Sequence, residues 1–173
     1  MRMKYWKIWN QKLMNLLPNK GKKVMDVFKL SPVAKSYIWG GTYFQKFGKK
    51  CDADVISELW ELSMRENNSC KIASGPNLGK DLLDVVSKEE IGPVFDSFPF
   101  FPILIKLIDA KDNLSVQVHP SDSYALSNEN QFGKSEMWHI ISADEGCGLY
   151  VGLNNNYTKE QIEEKLKNGT ILS

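Results

Sequence analysis

The chain has 173 residues, 42% of them hydrophobic and 25% charged, with a formal net charge of +1. That is about one domain, with enough apolar residues for a core, and no uninterrupted apolar run is long enough to make a membrane-spanning helix. Charge is uneven: residues 1–28 hold seven Lys/Arg against the single Asp26, so the rest is mildly acidic and offers no basic face for nucleic acid.

In chain order, residues 1–27 form a basic amphipathic extension. Trp6, Trp9, Leu13, Leu16 and Leu17 recur at helical spacing with lysines between them, and Pro18 ends the pattern. Such a stripe suits a membrane surface or a partner helix, or an extension packed on the body. It lacks the compact apolar core and small-residue cleavage site of a secretory signal. The composition shift across "PNKGKK" marks the boundary with a second segment, residues 28–173. Cys51, Cys70 and Cys147 are scattered and never spaced C-x-x-C. That suits a reducing compartment and a cytoplasmic location, and offers neither a disulfide framework nor a thiolate zinc site.

Beyond the boundary the pattern breaks into short segments. "YIWGGTYF" (37–44) is aromatic-rich around paired glycines, which suit a tight turn or a pocket floor. "VISELWELS" (55–63) alternates apolar and polar residues and predicts a strand. Residues 79–95 predict two short helices, the second opened by a capping box of Ser87 and Glu90. "FPILIKLIDA" (101–110) predicts a buried strand, "KDN" a turn and "LSVQVH" (114–119) the returning strand of a hairpin. Asp122 and Ser123 suit helix caps. Further strands are expected over 136–142 and 148–152, and Asn154–Asn156 suit a turn. A second capping box, Thr158 with Gln161, opens a helix that runs to Lys167 and stops at Gly169. The sum predicts a mainly β chain, a barrel or sandwich with short helical insertions.

Chemistry concentrates at residues 117–136. Strand periodicity puts Gln117 and His119 on one face, opposite Val116 and Val118. An amide oxygen and an imidazole nitrogen two residues apart can both reach one metal ion at about 2.0–2.2 Å. Glu136, in "GKSEMWHII", supplies an anionic donor. The set suits Zn²⁺ or another divalent first-row ion, with a position open for water or substrate. Lys134, two residues before Glu136, suits a phosphate contact or proton transfer. Trp138 suits a pocket wall or the core, Trp60 and Glu61 a structural role, and His139, pointing away from Glu136, a packing or surface role.

"FPILIKLIDAKDNLSVQVHPSDSYA" followed by "GKSEMWHII" resembles the class I mannose-6-phosphate isomerases, zinc-dependent enzymes of the cupin superfamily. The resemblance begins at "FKLSPVAKSYIWGG", continues through "SELWELS" and "GPNLGKDLLD", and passes "YVGLNN". It implies a cupin-like jelly-roll β-barrel, with residues 28–173 as the N-terminal part of the catalytic domain, incomplete at the C-terminus. It implies one Zn²⁺ per chain with Gln117, His119 and Glu136 as metal ligands, and Lys134 as the catalytic candidate reaching the sugar-phosphate site. The implied substrate is a small sugar phosphate. The implied reaction interconverts mannose 6-phosphate and fructose 6-phosphate, moving a proton between C1 and C2 through a cis-enediol. The family also uses a histidine from a "GxxHA" segment and a later arginine, both expected beyond Ser173, and has no counterpart of the basic extension. Two other readings stand beside it: a sugar-binding or inactive cupin fragment, and a non-haem iron oxygenase, which the glutamine among the donors disfavours.

Overall fold

The computed structural model describes residues 27–49, 52–93 and 96–171. The helix expected over residues 1–17 and Cys51 lie outside the described residues. The chain divides into two compact units, Met1–Leu114 and Ser115–Ser173.

The first unit is built of short strands: β1 (Leu30–Ser31), β2 (Val33–Lys35), β3 (Glu58–Leu62), β4 (Met64–Arg65), β5 (Asn68–Ser69), β6 (Lys71–Ile72) and β7 (Ile105–Ile108). Strands β2, β3 and β7 make an antiparallel sheet with β3 in the centre, while β1 pairs with β6 and β4 with β5. The strand expected over 55–63 is therefore present as β3. Register aligns Ala34, Leu59 and Leu107 in one row across the sheet. That row packs on Phe44 and Ile56 as one core cluster. Each fully buried Leu or Ile here is worth about 1.5–3 kcal/mol.

The opposite face of the sheet carries charge. Glu58 accepts from Lys106 Nζ at 3.0 Å and from Trp60 Nε1 at 2.7 Å, and its side chain is only 9% exposed. Lys106 lies directly across from Trp60, one step diagonal to Glu58, so pleat and register together deliver the cation to the carboxylate. A buried carboxylate needs such partners. The register slips between Trp60 and Leu62, and Leu62 packs against a second cluster of Met64, Ile72 and Leu82 with Phe28, Leu30 and Phe101. Cys70 is buried and its Sγ–H donates to Trp60 O at 3.1 Å. Burial pushes this thiol up from its ordinary pKa, away from thiolate chemistry.

Gly40 and Gly41 are explained by space, not by turn conformation, since neither has a positive φ. A Cβ on Gly40 would stand 2.0 Å from Ser57 Oγ, and one on Gly41 2.5 Å from Asp109 Oδ2. Ser57 is fully buried, accepts from Tyr37 N at 2.7 Å and donates to Tyr37 O at 3.0 Å. The expected helices form as α1 (Leu82–Val85) and α2 (Lys88–Ile91). The capping box is present, with the Ser87 amide donating to Glu90 Oε2 at 2.9 Å.

The second unit holds helices α3 (Asp122–Asn128) and α4 (Lys159–Lys167). Thr158 and Gln161 cap α4 reciprocally. Gly169 ends it at φ +68°, with the Thr170 amide donating to Lys165 O at 2.9 Å. The cap of α3 is Ser121, whose Oγ accepts from Tyr124 N at 3.4 Å; Asp122 and Ser123 fall inside the helix.

Three expectations are corrected. No hairpin joins 101–110 to 114–119, because β7 takes its ladder from β3. The strands expected over 114–119, 136–142 and 148–152 are absent from the described residues. Without them the described sheets stay open, and the expected jelly-roll barrel is not closed. The reason is common to all: alternation makes a segment competent for a strand, but a strand exists only when a neighbour takes up its N–H and C=O groups.

Ala125 is the one buried residue among those described in the second unit, while Val118, Met137 and Val151 are each more than 80% exposed. Apolar, strand-competent segments in this state invite pairing between chains. The 173-residue chain is therefore expected to self-associate at micromolar concentration, read by light scattering across a dilution series. A monodisperse monomer with one cooperative melt would show that it closes its own core.

Candidate metal centre

The candidate residues of the "QVHP…GKSE" stretch all lie in the second unit, and α3 is the device that brings its two ends together. Pro120 leads into the Ser121 cap, and the helix runs for two turns. Asn130 then takes the left-handed conformation at φ +51°, which Asn tolerates, and the Gln131 amide donates to Ala125 O at 3.4 Å. The chain thereby reverses and runs back past its own start.

Two hydrogen bonds fasten the return. Gly133 N donates to Asp122 Oδ1 at 2.8 Å, and Lys134 N donates to Pro120 O at 3.1 Å. Gly133 is needed here for close approach: an added Cβ would stand 2.5 Å from Pro120 O and 2.6 Å from Asp122 N. Both are backbone atoms that cannot swing aside. Gly133→Ala is expected to cost about 1–3 kcal/mol by overpacking and to loosen the clasp. Amide hydrogen exchange at Lys134 should speed up about tenfold or more; an unchanged rate would show that the contact does not hold the loop.

The clasp sets the chemistry. His119 Nε2 meets Glu136 Oε2 in direct contact, and Lys134 Nζ reaches the same oxygen at 3.2 Å. Gln117, His119 and Lys134 line an open cleft of about 370 Å³, with Phe132 and the buried Ala125 in its wall. The Gln117 amide nitrogen donates to Ser115 Oγ at 3.3 Å, which leaves its carbonyl oxygen as the end suited to a cation. The side chains of His119 and Glu136 are 26% and 17% exposed, and that of Lys134 is about half exposed.

The donor chemistry of these residues suits a divalent ion. An imidazole nitrogen and a carboxylate oxygen already converge, and an amide two residues before the histidine lines the same cleft. No group of three or more His, Cys, Asp or Glu is placed to hold a metal ion among the described residues, so the amide of Gln117 has to be counted for a three-donor set. Trp138 is 46% exposed, neither core nor cleft wall, and His139 is exposed. Trp39, Gly40, Gly41, Trp60 and Glu61 belong to the first unit.

Sequence reasoning missed Gly133, Asp122 and the Glu58–Lys106 pair. The pair had a readable signal: a lone lysine in the otherwise apolar β7, and glutamates in the neighbouring β3. Gly133 had a weaker one, a glycine directly before the candidate lysine. Asp122 had none beyond its capping preference. No helix of the described residues is long and apolar enough to cross a membrane.

Comparison with known proteins places the chain in a family. The family profile for the catalytic domain of phosphomannose isomerase type I matches residues 27–145. The probable mannose-6-phosphate isomerase GmuF of Bacillus subtilis (strain 168) is 39% identical over 145 residues, covering 81% of this chain and 45% of GmuF. The mannose-6-phosphate isomerase of Streptococcus mutans is 36% identical over 135 residues, covering 76% of this chain and 42% of that protein. The crystal structure of the mannose 6-phosphate isomerase from Bacillus subtilis superposes with a TM-score of 0.50 at 38% identity, covering 60% of this chain and 34% of that one. The chain thus spans less than half the length of these curated relatives. With the profile spanning well over half of its residues, the chain belongs to the type I phosphomannose isomerase family, through that family's catalytic domain.

Proposed function

We propose that this chain contributes the metal- and phosphate-facing part of a zinc-dependent mannose-6-phosphate isomerase, which interconverts mannose 6-phosphate and fructose 6-phosphate. The observation that carries the reading is the meeting of His119 Nε2 and Glu136 Oε2 beside a cleft lined by Gln117 and Lys134. Gln117, His119 and Glu136 would hold the ion, which when bound acts as a Lewis acid on the oxygens of the sugar.

The remaining roles fall to side chains. Lys134 is the cation in the cleft, close enough to the donors to contact a phosphate or to carry a proton between adjacent carbons. The Gly133 clasp fixes the separation between the histidine limb and the lysine–glutamate limb, so the donors are positioned before any ligand arrives. A second reading is sugar binding without turnover.

A coupled assay that follows fructose 6-phosphate from mannose 6-phosphate, with zinc and with chelator, separates the two. Turnover that zinc supports and chelator stops carries the isomerase reading. Saturable sugar-phosphate binding without turnover, in a zinc-loaded chain extended to the length of its relatives, carries the other.

A further inference from the structure

Glu136 Oε2 is shared: it touches the imidazole of His119 and accepts from the ammonium of Lys134 at 3.2 Å. A divalent ion joined to that oxygen would stand no farther from Nζ than the 3.2 Å contact plus one metal–oxygen bond of about 2.1 Å. Two cations at that separation repel, and the half-exposed lysine is the one free to move.

We propose that Lys134 is a competing counter-ion of the metal site: ammonium and metal ion exclude each other from Glu136 Oε2, so metal binding turns Lys134 off the carboxylate and into the cleft. The inference rests on the proposed site and adds a function to it. A lysine held by Glu136 is poorly placed to meet an anionic group of the substrate. One displaced by the ion is available to do so, and the cleft acquires its free cation only when the metal is present. By linkage the coupling is reciprocal: whatever draws Lys134 away from Glu136 strengthens metal binding. The other charged residue lining the cleft, Glu129, offers the released ammonium an alternative partner.

The test is zinc affinity of the whole chain, read by competition with a chromophoric chelator. Lys134→Met and Lys134→Gln both remove the competitor and are expected to bind zinc about two- to fivefold more tightly, the scale of a partly exposed charge contact. Lys134→Arg keeps the cation and is expected to stay near the wild-type value. Lys159→Met changes net charge equally but sits on α4, where Lys159 faces Glu163 at 3.8 Å; it is expected to leave affinity unchanged. The inference is overturned if neither neutral Lys134 variant binds more tightly, or if Lys159→Met tightens binding as much. Wild-type zinc retention no greater than that of His119→Ala would instead overturn the site assignment itself, and this inference with it.

Discussion

His119→Ala is expected to strip the chain of bound zinc. Three donors are assigned to the ion, and the imidazole is the strongest neutral one among them. Removing it leaves Glu136 with Lys134 as its partner and Gln117 with only an amide oxygen, and neither is a competent zinc ligand alone. After dialysis against a weak chelator, metal analysis should find zinc in the wild-type chain and none above background in the variant. His139→Ala is the control, since His139 is exposed and takes no part in the contact; it should retain zinc as the wild type does. Equal retention by the wild-type and His119→Ala chains would sink the assignment.

The second large effect concerns rate. The 173-residue chain is expected to turn over mannose 6-phosphate at least about 10²–10³-fold more slowly than a full-length relative, which is the usual cost of one missing electrostatic stabiliser. Family resemblance places a further histidine ligand and an arginine in the part of the relatives that these residues do not span. A three-donor site also holds its ion less tightly, which lowers the loaded fraction. A chain extended through the remaining length of its relatives should be fully active, and chelator should abolish that activity. Turnover by residues 1–173 at the rate of a full-length relative would mean that Gln117, His119, Lys134 and Glu136 suffice, and that the account of the missing groups is wrong.

Local features were legible in the amino-acid sequence, and tertiary ones were not. The two capping boxes, Ser87 with Glu90 and Thr158 with Gln161, form as read, as does the Gly169 stop, because each is decided within four or five residues of backbone. Strand β3 was legible because alternation and a central place in a three-stranded sheet agree. The segments 114–119, 136–142 and 148–152 are strand-competent by alternation or apolar content yet form no strand, since pairing depends on a neighbour that a segment's own residues do not specify.

The candidate donors show the same division. Their candidacy came from residue types and spacing together with the family resemblance, and family membership followed from motifs that recur in order along the chain. Their meeting was not. It depends on α3 turning the chain, on Asn130 reversing it, and on Gly133 lying against the backbone of 120–122 without a side chain. The sequence alone determined which groups are available and where helices start and stop, since those are short-range matters of hydrogen bonding and conformational preference. Only the tertiary structure decided that Lys106 neutralises Glu58 across a sheet, that Gly40 and Gly41 are small for want of room, and that Lys134 and His119 share one oxygen of Glu136. Apart from Lys134 and Glu136, each of these is a contact between residues 17 to 68 positions apart, and such contacts are set by how elements pack, not by what any one segment prefers.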